Sequence, residues 1–418
     1  ADWVRRFGGA YENMIILDAD SVMAGETMMQ MVDAMKRHPT IGLIQTTPAV
    51  INAESLFARA QQYSVRLYGR VASAGLAWWS GSEASYWGHN AIVRVRAFAE
   101  CAGLPCLPGR KPFGGHVMSH DVVEAGLLRR GGWGVHVTPT LTGSYEETPP
   151  SLLEFMKRER RWCQGNLQHI ALLRAPGLHW MSRFQLVVGL MAYLASPIWL
   201  LSLIAGLYIQ IHNKPDWGSW WYFLHPELNP MLWASLLTTG MLLGPKLMGV
   251  ALVLSRPQER RAYGGTKVLL KSVAAEMGLS ALTAPIYMIG NTRAVFEILM
   301  GKDAGWHAQN RDADGLSLAD AKLSFRNEFF AGMFFLTALA MRPDLLLWIW
   351  PIFVPMLFAP RIAAWTSSRA AGQKAFNAGL LITPEERAAM VVSVETHQGA
   401  DVVPMPVRTV NPALMAAE

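Results

Sequence analysis

Apolar and polar positions alternate in two regimes along the chain. From residue 1 to about 175, short apolar runs with strand character are separated by stretches of helical spacing. Asn13–Leu17 reads as a strand ending on Asp18-Ala19-Asp20, and Thr27–His38 carries Met28, Met31, Val32 and Met35 at helical intervals. Ile41–Ile44 is the next strand. A helix over 54–72, a strand over 91–95, a helix over 122–130 and a strand over 135–137 follow. This alternation predicts an α/β domain with a mostly parallel sheet, whose ligands sit at the carboxyl ends of the strands, where Asp18 and Asp20 lie.

A capping box, Ser151-Leu152-Leu153-Glu154, opens a further helix over 151–171. Its Leu152, Phe155, Met156, Cys163, Leu167 and Ile170 form an apolar stripe, and Lys157, Arg158, Arg160 and Arg161 form a basic side suited to a headgroup interface.

The second regime is nearly free of charge. Residues 184–211 and 231–254 each exceed or match the roughly 20 apolar residues needed to cross a bilayer, with Lys246 facing protein or snorkelling. Residues 268–299 carry Lys271, Glu276, Arg293, Glu297, Pro285 and Gly290, and are expected to be interfacial or re-entrant. Residues 329–341 and 345–360 form a predicted hairpin of short spans about Arg342-Pro343-Asp344. The organisation is therefore a domain over 1–175, a transmembrane region over 176–360 and a tail over 361–418 with one helix start at Thr383-Pro384-Glu385-Glu386.

Composition agrees. Charged residues make up 16% of the 418, against about 25% in soluble domains, and hydrophobic residues reach 51%. The net charge of +6 does not indicate nucleic acid, because Lys and Arg flank apolar spans instead of forming one tract with stacking aromatics. Residues 256–267 carry Arg256, Arg260, Arg261 and Lys267, while 212–230 carry a single Lys, so the positive-inside rule puts the first domain and the tail in the cytoplasm. Cys101, Cys106 and Cys163 give neither a CxxC pair nor an even framework and read as plain thiols. The chain opens at Ala1 without an initiator Met or signal peptide, and its expected beginning lies upstream.

Candidate chemistry sits in three places. Asp18 and Asp20 share a strand face and can hold a hard divalent cation, although the triplet alone fits a solvated acidic loop better. Asp121, in Gly115–Asp121, is either a helix cap or an active carboxylate. His116 and His120 stand four apart without the glutamate of a zinc helix and are discounted as ligands. Arg158 and Arg161 share a helical face that suits lipid headgroups or an anionic substrate, and Trp162 is an interfacial anchor or a sugar platform.

Together these motifs resemble the membrane-embedded inverting glycosyltransferases of the cellulose and hyaluronan synthase superfamily: a strand-end DxD, an acidic tripeptide Ser119-His120-Asp121, and Arg158-Glu159-Arg160-Arg161-Trp162 ahead of the spans. The wording of Tyr86–Ala91, Arg129–His136 and Arg160–Leu167 is similar to the glucan biosynthesis glucosyltransferase H family, which makes osmoregulated periplasmic glucans, and the resemblance covers about residues 10–340. It implies a nucleotide-sugar-binding domain of the glycosyltransferase A type, here without its upstream half, and transfer of glucose from UDP-glucose to a growing β-glucan at the bacterial inner membrane. On that resemblance Asp20 and Asp18 hold Mg²⁺ or Mn²⁺, Asp121 is the base, Arg158 and Arg161 pair with the diphosphate, and Trp162 stacks on the acceptor. Trp306 and Arg311, in Trp306–Arg311, resemble a gating loop, which a plain surface loop would fit as well. An acyl carrier protein and a periplasmic glucan-processing protein are the implied protein partners. Rival readings are a single-transfer enzyme acting on a polyprenyl phosphate, an inactive membrane subunit, and a transporter, the last disfavoured by the scarcity of intramembrane acids.

Overall fold

The computed structural model describes residues 2–212, 225, 230–305 and 315–389. After a short helix α1 (Asp2–Phe7), the chain builds a four-stranded sheet from β1 (Asn13–Ile16), β3 (Ile41–Thr46), β5 (Ala91–Arg94) and β6 (Gly134–Thr138) in the order β1-β5-β3-β6. A smaller sheet, β2 (Val22–Met23), β7 (Ser144–Glu147) and β4 (Ala49–Ile51), stands beside it.

The expected mostly parallel sheet is corrected to a mixed one. β3 pairs parallel with β6, but β5 runs antiparallel to both β1 and β3. Helix α3 (Leu56–Ser80), 25 residues long, lies between β4 and β5 and packs on a membrane helix, on the C-terminal segment and, through Leu76, on the sheet core. The chain then re-enters beside the end of β3, with Gln45 opposite Ala91.

Neighbouring strand positions serve opposite faces. Leu43, Val93 and Val135 pack with Ala125 and Leu128 of α5 (His120–Arg130), whereas Ile44 and Ile92 pack with Met31 and Met35 of α2 (Gly25–Arg37). A helix α4 (Val95–Cys101) completes the layer. The predicted capping box is present: Ser151 Oγ accepts the Glu154 amide at 3.2 Å and starts α6 (Leu152–Gln168).

Three helices among the described residues are long and apolar enough to cross a membrane: Trp180–His212, Leu236–Ser255 and Thr266–Leu299. They belong to α7 (Trp180–His212), α8 (Pro230–Ser255) and, after a short α9 (Pro257–Ala262), α10 (Thr266–Leu299). Leu201 and Tyr208 on α7 and Leu237, Met241 and Leu242 on α8 form an exposed apolar surface among the described residues.

The segment expected to be interfacial or re-entrant is one unbroken helix, α10, running through Pro285 and Gly290 without a re-entrant turn. Its two acids have partners. Glu276 accepts from Lys246 of α8 at 2.8 Å, from Tyr68 at 2.9 Å and from Ser280 at 2.7 Å, and Glu297 pairs with Arg160 at 3.1 Å. Lys246 thus faces protein, as one of its two expected orientations required.

The predicted hairpin is observed as α12 (Arg326–Leu339) and α13 (Leu346–Leu357), after a short α11 (Leu318–Ser324). Phe335, Phe353 and Met356 join them. α12 has 14 residues, too few for a straight crossing, while Ile349–Leu357 and α14 (Ala359–Thr366) meet at a 72° bend. The tail is docked as far as 389 through α15 (Arg369–Asn377) and a turn of helix after Thr383. Thr383 and Glu386 form the predicted cap, and Arg59–Glu386 at 3.0 Å and Arg66–Glu385 at 2.6 Å tie it to α3.

Candidate active site

β1 delivers Asp18 and Asp20 into a turn closed by the Ser21 amide on the Asp18 carbonyl at 3.0 Å. Across from them β7 presents Glu146, whose Oε2 lies 3.4 Å from His89 Nε2. Burial lifts the Glu146 carboxyl above its ordinary range, His89 and Arg158 oppose the lift, and Asp20 and Asp18 add to it. Three carboxylates, one imidazole and one guanidinium therefore share a neighbourhood. Its hard oxygen donors and surplus negative charge fit a divalent cation.

Asp121 stands in the first turn of α5. It does not cap the helix: the N-cap position belongs to Ser119, and no side-chain cap bond forms there. Its carboxylate lies against Gly88, where a Cβ would be 2.9 Å from Asp121 Cγ and Oδ1. Gly88 has φ +93°, so the site needs glycine for its backbone as well as its bareness.

The Gly88 loop is fixed from beneath. Tyr86 donates to the Gly88 carbonyl at 2.7 Å, Gln45 Nε2 donates to the His89 carbonyl at 2.9 Å, and fully buried Asn90 donates to Ser144 Oγ at 2.8 Å. Burial raises the Tyr86 hydroxyl, and Glu124, Asp121 and Asp18 raise it further. Tyr86 feels the expected base and the first strand-end aspartate together, which joins the two halves of the site.

His120 Nδ1 lies 3.0 Å from Asp121 Oδ1 and 3.2 Å from Glu124 Oε1. The hydrogen bonds to Asp121 and Glu124 outweigh burial and push the imidazole up to about 10. These three ligand-type atoms lie within 4.8 Å of one another, and the imidazole, set between two acids, serves as their counter-ion. His116 is in a loop outside the helix, so the pair lacks the i, i+4 zinc arrangement, as expected.

Helix α6 brings the cations. The Arg158 guanidinium carbon sits 4.4 Å from the Trp162 ring centroid and 4.9 Å from that of Phe155. Burial and then the Arg158 charge hold Arg161 below its ordinary range, which places the two guanidiniums near each other. The remaining basic residues point elsewhere: Lys157 pairs with Glu154 at 2.7 Å and Arg160 with Glu297. Trp162 is 44% exposed, free to offer a ring face.

α6 is locked to α5. A Cβ on Gly165 would lie 2.2 Å from Ser119 Oγ and 2.5 Å from its amide, His169 Nε2 donates to the Ser119 carbonyl at 2.8 Å, and Gln168 accepts the Met118 amide at 2.9 Å. Gln164 donates to Asp303 at 2.8 Å and accepts the Ala304 amide at 2.6 Å, while Lys111 holds Asp303 at 3.1 Å. Trp306 and Arg311 follow this stem and lie outside the described residues. Glu146, His89, Glu124 and the packing glycines escaped the sequence reading. Gly88 and His89 lie in Tyr86–Ala91 and Gly165 in Arg160–Leu167, stretches whose wording carried no chemistry without neighbours, and Glu124 and Glu146 lie in none of them.

With this arrangement in hand, comparison with known proteins is direct. The chain is similar to glucans biosynthesis glucosyltransferase H of Caulobacter vibrioides strain NA1000, 48% identical over 406 residues that cover 93% of this chain and 60% of that protein. The protein of the same name from Xylella fastidiosa is 45% identical over 411 residues, covering 95% and 64%. That from Xanthomonas oryzae pv. oryzae is 47% identical over 394 residues, covering 92% and 61%. The chain thus spans about three fifths of the length of these curated relatives. The family model described as glycosyl transferase family group 2 matches residues 14–244, a stretch that holds the strand-end aspartates, Asp121 and both α6 arginines, and the chain belongs to that family.

Proposed function

We propose that the protein of this chain transfers glucose from UDP-glucose, with inversion, to a growing β-glucan for the synthesis of osmoregulated periplasmic glucans. The observation that carries this reading is the Asp121 carboxylate seated against bare Gly88, within the stretch that the glycosyl transferase family model matches. Members of the family generally use a nucleotide-sugar donor and a divalent metal. Asp20 and Asp18 would hold Mg²⁺ or Mn²⁺, which supplies charge neutralisation on the departing diphosphate. Arg158 and Arg161 offer planar donor pairs to the diphosphate oxygens. Asp121 accepts the acceptor hydroxyl proton as that oxygen attacks the anomeric carbon from the face opposite the leaving UDP. Trp162, with Arg158 stacked behind it, offers a ring face to the acceptor sugar.

A growing chain is favoured over single transfer to a polyprenyl phosphate by buried polar atoms beneath α6. Tyr287 Oη and both Glu328 oxygens are buried without a hydrogen-bond partner among the described residues, beside Phe155 and Met156 respectively. Such atoms suit a hydroxyl-rich chain passing between α6, α10 and α12. Cytoplasmic placement of the catalytic domain at the inner membrane rests on the basic loop after α8. The acyl carrier protein and the periplasmic processing protein remain partners by family resemblance.

The test is Asp121→Asn in the full-length protein. Asn keeps the shape and removes the proton-accepting charge, so UDP-glucose binding persists while glucan synthesis falls about 10²–10⁴-fold. Near-normal synthesis would remove Asp121 from the role of base.

A further inference from the structure

The motif ending in Asp121 carries a second titratable side chain that the proposed reaction leaves unused. A carboxylate acting as a base must present one oxygen to the acceptor and keep the other out of the way. Gly88 limits Asp121 on one side, and no cap bond to the helix holds it. Among the described residues its polar partner is His120 Nδ1, at 3.0 Å from Oδ1. The same nitrogen reaches Oε1 of Glu124, one turn further along α5 and 6% exposed. Without His120 that glutamate would be a buried charge lacking a counter-ion.

We propose that His120 is a positioning residue for acceptor deprotonation: its imidazolium N–H, shared between Asp121 Oδ1 and the buried Glu124, fixes the base against Gly88 and leaves Oδ2 for the acceptor hydroxyl. The inference rests on Asp121 being the general base. In the reaction the acceptor O–H bond breaks, its proton goes to Asp121 Oδ2, the oxygen bonds to the anomeric carbon, and the bonding pair of the C1–O bond leaves with UDP. His120 keeps its proton throughout.

The surroundings explain the need for a cation here. Tyr86, from the loop before β5, feels Glu124, Asp121 and Asp18 at once, so the pocket is crowded with negative charge. From the end of α6, His169 faces Asp121, but burial holds it neutral. Asp121 and Glu124 are the charged groups that act on His120 itself.

The test uses pH profiles of glucan synthesis by the full-length protein in membranes, with UDP-glucose binding as the check on folding. An imidazolium raised to about 10 is present below that pH and lost above it, so the parent's alkaline limb falls near pH 10. Glu124→Gln removes one of its two anionic partners and moves that limb down by about one pH unit or more. His120→Gln lowers turnover about 10–100-fold at neutral pH, with KM for UDP-glucose within about twofold, and the parent-to-variant ratio shrinks above pH 10 as the parent loses the same cation. A ratio constant across pH, or a limb unmoved by Glu124→Gln, overturns the role of His120. If Asp121→Asn abolishes synthesis while the limb stays put, His120 alone is rejected; if Asp121→Asn remains active, the base itself is.

Discussion

Gly165→Ala puts a methyl group where α6 meets the start of α5, and the structure sets the size of the disturbance. The new Cβ would stand 2.5 Å from the Ser119 amide nitrogen, which is backbone and cannot swing aside as Ser119 Oγ can. Restoring ordinary contact needs a separation of about 1 Å between the helices, and overpacking of this kind costs about 1–3 kcal/mol. The displacement matters more than the energy, because α5 carries Asp121 and α6 carries Arg158 and Arg161. A misplacement of about 1 Å between groups acting on one substrate lowers turnover about 10²-fold. The assay is incorporation of labelled glucose from UDP-glucose into glucan, with the melting temperature of the detergent-extracted protein measured in parallel. Gly75→Ala in α3 is the control, since nothing lies within 4 Å of its Cβ position, and it should leave both readings unchanged. Parent-like synthesis by Gly165→Ala would show that the α5–α6 spacing does not set the catalytic geometry.

Two further outcomes follow from buried polar groups. Lys246→Met strands Glu276, which is 2% exposed, and should destabilise the protein by about 3–5 kcal/mol, read as a lower melting temperature that Lys246→Met with Glu276→Gln restores. Burial lowers His169, so the folded form resists protonation and stability is lost as pH falls through the unfolded value of about 6.5; the melting temperature should drop between pH 7.5 and 5.5, and less so in His169→Gln.

The sequence revealed what depends on near neighbours. The Ser151–Glu154 cap, the helical stripe through Met31 and Met35 and the strand ending at Asp18 all arise within a few residues, and each was found as expected. Strand direction was hidden, because an apolar run such as Ala91–Arg94 looks the same whichever way it enters the sheet. The charges of α10 misled for a related reason. Glu276 and Glu297 lower the hydropathy of their segment, yet their partners Lys246 and Arg160 come from other helices, visible only after folding. Glu146 reaches the site by the same kind of long-range pairing, through β7.

Helix α6 is fastened on opposite sides to regions bathed by different solvents. Towards the sheet it is seated on Ser119 through Gly165; towards the bilayer helices Glu159 accepts from Tyr193 of α7 at 3.0 Å, and Arg160 holds Glu297 of α10. One helix thus carries the Arg158 and Arg161 guanidiniums at its middle and attachments to the apolar helices along its length. A tilt of α10 that follows a change in hydrocarbon thickness would therefore act on α6 through the Arg160–Glu297 pair. On the proposed function, glucan synthesis in vesicles should then vary with the acyl-chain length of the lipid.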